Sequence, residues 1–150
     1  MMSTKMKFFT KITIAHVFTY LLCGTIFMML LDYSEHIELL GMKSMDEISP
    51  SMIVIAQIVR GILFGFVIWW VKDSIIGKKL AWMKLWLVLV IVGIINTYGP
   101  AHGSIEGMLY LDLTRFGDVP AHMNLSIIEV LAQPLLFSII VTFQRKKNQA

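Results

Sequence analysis

Residues 51–71 read SMIVIAQIVRGILFGFVIWWV. A helix rises about 1.5 Å per residue and the hydrocarbon core of a bilayer is about 30 Å thick, so about 20 mostly apolar residues cross it. This stretch has that length and carries a single charge, Arg60. Lipid offers no partner for free backbone N–H and C=O groups, so the segment is expected to be a membrane-spanning helix. Residues 12–31, 80–98 and 123–143 meet the same test. The expected fold is all-α: one four-helix transmembrane bundle that takes in residues 1–150 as a single domain.

Composition points the same way. With 57% hydrophobic and only 15% charged residues, and a mean hydropathy of +0.73, the chain is too apolar for an ordinary soluble domain. Its net charge of +3 is too small, and its lysines too closely tied to the ends of apolar runs, for nucleic-acid binding. The single cysteine, Cys23, lies inside an apolar run. That excludes an intramolecular disulfide and a C-x-x-C redox pair, and a small buried residue is what the position calls for.

The basic residues give an orientation. Lys5, Lys7 and Lys11 precede the first span, Lys72, Lys78 and Lys79 join the second to the third, and Arg145, Lys146 and Lys147 follow the fourth. The two remaining loops hold one basic residue each, Lys43 and Arg115, and most of the acids. The positive-inside rule therefore expects both termini and the middle loop in the cytoplasm. Trp69, Trp70, Trp82 and Trp86 cluster at that inner boundary, where amphipathic rings favour the headgroup layer. Lys84 lies close enough to it for its stem to run along apolar surface while the ammonium reaches water. The first span is longer than a signal-peptide core and has no small-residue cleavage pattern, so it reads as a retained anchor.

The outer loops, residues 32–50 and 99–122, are longer than a simple turn needs. Ser49-Pro50 suits a helix start, with serine as N-cap and proline in the first turn. Gly99-Pro100 should stop the third span, and the amphipathic stretch 108–116 should form a short interfacial helix between spans three and four.

Polar groups inside the spans carry the functional question. A charge there costs about 2.5 to 3.5 kcal/mol on insertion scales, so it usually faces the bundle interior and marks function. Arg60 and Glu129 are the two clear cases. Counted inward from the ends of their spans, they fall at similar depth in the outer half, within reach of an ion pair. Gln57, Arg60, Gly61, Phe64 and Gly65 share one helical face, as do Ser126, Glu129 and Gln133, and Asn96 and Thr97 close the third span. Gly61-x-x-x-Gly65 permits close approach of backbones, and Pro134 should kink the fourth span and free a carbonyl beside the cluster. One reading is purely structural: the pair neutralises itself and fixes helix register. The other is a ligand pocket in which Arg60 holds an anionic or carbonyl-bearing group and Glu129 handles a proton, lined by Gln57, Gln133 and Asn96.

Among the histidines, His16 is placed near the inner end of its span, away from His36, His102 and His122 in or beside the outer loops. His102 and Glu106 have i, i+4 spacing that a metal could share only on a helix. Without a closer ligand cluster they are read, with His122, as lining the mouth of the pocket. No metal or other cofactor is expected, and no phosphate loop, nucleophile elbow or zinc-protease helix occurs. Asn124-Leu125-Ser126 matches a glycosylation sequon at the membrane edge, a position that argues against modification.

Arg60-Gly61, Gly99-Pro100 with Gly103 to Gly107, and Glu129 to Gln133 together resemble a pattern in small four-span bacterial membrane proteins of no established activity, a resemblance that implies the bacterial inner membrane as the location. The resemblance covers most of the chain in topology and these short pieces in sequence. Ala121-His122-Met123-Asn124-Leu125 is similar to a histidine motif of small relatives of haem-copper oxidase subunits. The preceding histidine and following Gly-Trp are missing, and no haem ligand is carried over. The function expected is binding or transport of a small molecule or lipid head group at an outward-facing polar cluster. The alternatives are an accessory subunit of a larger membrane complex or homo-oligomer, and a membrane-embedded enzyme with unassigned catalytic residues.

Overall fold

The computed structural model describes residues 3–31, 49–96 and 126–143. All the regular structure among them is helical: α1 (Thr4–Leu31), α2 (Pro50–Ile75), α3 (Ala81–Val90) and α4 (Ser126–Thr142), with a π-helical turn, Ile91–Ile95, continuing α3. The interfacial helix expected at 108–116 lies outside the described residues.

Two helices, over Thr4–Leu30 and Pro50–Ile75, are long and apolar enough to cross a membrane. Only 28% and 22% of their most apolar windows are buried inside the molecule, which separates them from core helices of soluble folds, where most of the surface is covered. Two shorter apolar helices run over Ala81–Ile95 and Ile128–Thr142. The exterior carries large apolar side chains along every helix, up to Trp70 at 90% exposed, while His16, Thr19, Gln57, Ser138 and Thr142 are buried. Large apolar side chains exposed along every helix, around a core that also holds several polar groups, are in keeping with membrane association.

The helices form a ring in which α1 packs against α2 and α4, α3 packs against α4, and α2 touches α3 more lightly. The α1–α2 pairing is antiparallel, with Phe9 against Phe66 at 4.8 Å and Phe8 against Trp69 at 5.2 Å between ring centroids. Its closeness comes from glycine. A Cβ on Gly61 would stand 2.9 Å from Thr13 Cα, and one on Gly65 2.9 Å from the Phe9 ring, so the small-residue face is the packing face of α2. At the far end of α2, Pro50 occupies the first turn, with Met52 N–H bonded to the Ser49 carbonyl. The Ser49 hydroxyl does not cap the helix; it pairs with Ser51 Oγ at 2.7 Å. The connection from α2 to α3 is a tight turn with Gly77 at φ 78°.

One end of the ring gathers the basic side chains. Lys5 and Lys72 both lie over the Trp69 ring, at 5.9 and 4.7 Å from its centroid. Lys11 Nζ donates to the Val141 carbonyl at 2.9 Å, satisfying an acceptor in the last turn of α4 that has no helical donor. The start of α1, the end of α2, Lys78 and Lys79 in the turn, and the end of α4 thus share one face of the molecule. Lys84 is exposed in the first turn of α3.

Candidate functional site

One helix changes its geometry and another carries an internal proline, and residues from both places line one cavity. Residues 88–95 of α3 read VLVIVGII, a run of β-branched residues with one glycine that weakens α-helical geometry. Over Ile91–Ile95 the helix widens, and Asn96 N–H reaches back to the Ile91 carbonyl at 2.8 Å. Such π turns are frequent at functional sites. In α4, Pro134 has no N–H, so the Val130 carbonyl loses the donor it would have in an unbroken helix. Nearby, Trp86 Nε1 donates to the Leu131 carbonyl at 3.1 Å, tying α3 to α4 beside the break.

Between these interruptions and the α1–α2 pair lies a cavity of about 130 Å³ that all four helices line. The π turn contributes Gly93 and Ile94, and α4 contributes Val130, Gln133, Pro134 and Phe137. From the other side come His16 on α1 and Arg60 and Phe64 on α2. Phe64 separates the two polar groups. The imidazole meets its ring edge-on at 4.9 Å between centroids, and the Arg60 guanidinium carbon lies 5.7 Å from the same centroid.

His16 is the residue that sequence reasoning misplaced. It is 1% exposed, its Nε2 is 3.0 Å from Gln57 Oε1, and its Nδ1 is buried with no hydrogen-bond partner. Counting from Ile12 puts it near a span end, but α1 begins at Thr4 and His16 falls near its middle. The signal was present: Ile12, Ala15, His16, Thr19 and Cys23 repeat at helical spacing, and all five are buried. Thr19 hides its hydroxyl by bonding the Ala15 and His16 carbonyls at 2.9 and 3.1 Å.

Arg60 and Glu129 are not at one depth. Gly61 packs on Thr13, whereas Glu129 Oε1 lies 3.7 Å from where a Cβ on Gly24 would stand. Thr13 and Gly24 are eleven residues apart on α1, roughly 16 Å at the helical rise. The guanidinium leans over Phe64, one turn farther from Glu129. The depth estimate failed because it assumed that α2 and α4 start in one plane; by the α1 register, α2 begins at about the level of Glu129. The cavity is accordingly midway along α1 and α2, not in the half nearer the start of α2.

Arg60 also sits at the margin of its face: Gln57, Gly61, Gly65 and Ile68 form the buried stripe, while Arg60 is exposed as a whole residue and lines the cavity. Of the expected pocket residues, the structure brings Arg60 and Gln133 to the cavity wall and places Gln57 behind His16. Glu129 stands one turn beyond Gln133, beside Gly24 and half-buried, and Asn96 is exposed at the end of the π turn. Thr97, His102, Glu106, His122 and the side chain of Ser126 lie outside the described residues. Among the described residues no three histidine, cysteine or carboxylate side chains are grouped as metal ligands would be. No family model matches the chain, and neither does any curated protein or solved structure.

Proposed function

We propose that this chain is a four-span protein of a bacterial inner membrane whose mid-bundle cavity binds a small polar molecule. The observation that carries this reading is a cavity at which the π turn of α3 and the Pro134 segment of α4 face a buried histidine and an arginine. Irregular backbone at membrane depth is tolerated where it lines a cavity, and discontinuous helices near the midplane commonly build substrate sites. α3 with its π turn and α4 supply the third and fourth crossings. The basic end of the ring lies in the cytoplasm, in keeping with the positive-inside rule.

Arg60 is the anchor for an anionic or carbonyl-bearing group, since its guanidinium offers donors in a fixed fork. Gln133 sets the ligand's orientation. The volume of about 130 Å³ is close to the roughly 150 Å³ that accommodates benzene in an engineered cavity. It suits a molecule of a few heavy atoms better than a lipid head group with its glycerol.

Binding of acetate to the purified full chain in lipid nanodiscs tests this directly. Arg60→Gln should weaken it at least tenfold without unfolding the bundle, because Arg60 is outside the buried stripe. Acetate binding that is absent, or indifferent to Arg60→Gln, contradicts the reading and favours an accessory subunit whose polar interior only holds the helices together.

A further inference from the structure

Resting on the membrane reading, and not on the mid-bundle cavity, we infer that the basic end of the α1–α2 pair holds one anionic phospholipid, its phosphate at Lys72 and its glycerol against Trp69. A groove of about 380 Å³ opens there between the first turns of α1 and the last turns of α2. Thr4 and Phe8 line it from one side, and Trp69, Lys72, Asp73 and Ile76 from the other. The spacing puts each set on one face of its helix, at i and i+4 on α1 and at i, i+3, i+4 and i+7 on α2.

The groove is divided chemically as a lipid is. Phe8, Trp69 and Ile76 are half-buried and apolar, a wall that gives a dissolved ion nothing but packs against glycerol and the first acyl carbons. The Lys72 side chain is 28% exposed, so its ammonium is within reach of a ligand. It lies 4.7 Å from the centroid of the Trp69 ring, and Lys5 lies over the same ring at 5.9 Å. Asp73 holds the Lys72 ammonium at 3.0 and 3.2 Å, but that carboxylate is 89% exposed, and such surface pairs contribute little. A phosphate can take its place. With Lys7, Lys78 and Lys79 exposed at the same end, the field favours a head group of net negative charge and opposes choline. Basic pockets between membrane helices on the cytoplasmic side bind anionic head groups in this way. Trp70, 90% exposed beside Trp69 in the chain, sets the groove at headgroup level, where indole rings are favoured.

Native mass spectrometry tests this on the full chain, extracted from vesicles of equal parts phosphatidylglycerol and phosphatidylcholine. The expected result is one phosphatidylglycerol retained per chain, favoured about tenfold over phosphatidylcholine. Lys5→Gln together with Lys72→Gln should remove that preference. Lys78→Gln with Lys79→Gln takes the same charge from the neighbouring turn and should change it less than about twofold, since those lysines are outside the groove. Equal loss in both double variants overturns the inference, because it reports only the diffuse field of the surface. A preference that survives Lys5→Gln with Lys72→Gln overturns it too, as does inorganic phosphate retained in place of the lipid. Absence of any preference in the unmodified protein also overturns it, and that comparison needs no variant to fold. A chain washed from the vesicles by alkaline carbonate ends the membrane reading as well, whereas a chain that stays inserted without a preference ends this inference alone.

Discussion

The α1–α2 pair and the α3–α4 pair solve helix packing in opposite ways. In the first, Gly61 and Gly65 let the backbones touch, Phe9, Phe66, Phe8 and Trp69 interlock edge to face, and both helices run unbroken for 28 and 26 residues. In the second, one helix carries a π turn and the other an internal proline, and the cavity lies between them and the α1–α2 pair. Dispersion and small-residue contact hold membrane helices together where no hydrophobic force acts between them. The tight pair is thus a scaffold, and the broken pair can shape a site without threatening the fold.

Substitutions should separate the two halves. The largest effect is expected at Gly61→Ala, where the new methyl meets the Thr13 backbone, which cannot step aside. A loss of about 1–3 kcal/mol is the usual cost of overpacking, readable by steric trapping of α1 against α2; no loss would show that the pair is looser than its geometry. Gly65→Ala should cost less, roughly 1 kcal/mol or below, because its obstacle is the end of the Phe9 ring, which can rotate.

In the broken half the sign should change. Pro134→Ala restores the donor for the Val130 carbonyl and should leave stability unchanged or raise it by about 1 kcal/mol, with acetate binding weakened as α4 straightens. A destabilised protein with intact binding would refute the assignment of the break to the site. Trp86→Phe removes the bond to the Leu131 carbonyl, worth about 0.6 kcal/mol by the average for interhelical bonds in membranes. Smallest of all is Gly93→Ala, where nothing lies within 4 Å of the added Cβ; its stability should stay within about 0.5 kcal/mol of the parent.

Much of the tight half was legible in the amino-acid order. Residues 51–71 announce their helix by length and apolarity, Pro50 marks its start, and Gly61 and Gly65 mark its packing face. The broken half was legible in part: Pro134 is a break by its chemistry alone. The offset between helices was not. Depth along a helix can be counted only from its own ends, while the register between helices is set by contacts such as Gly61 on Thr13. That is why Arg60 and Glu129 looked level and are not. His16 was overlooked for a related reason. Its helix begins at Thr4, among lysines and polar residues that hydropathy alone places outside a span, so a mid-helix imidazole looked peripheral.

Cysteine accessibility in intact membranes tests the central claim, that the cavity beside the π turn and Pro134 admits small polar molecules while the outer face of the scaffold meets lipid. In a Cys23→Ser background, Gln133→Cys and Gly93→Cys should react with a small water-soluble methanethiosulfonate, and Arg60→Cys should join them. Val67→Cys and Phe66→Cys, on the exposed apolar face of α2, should stay unmodified. Equal labelling of both sets, or labelling of the α2 face alone, would contradict the account.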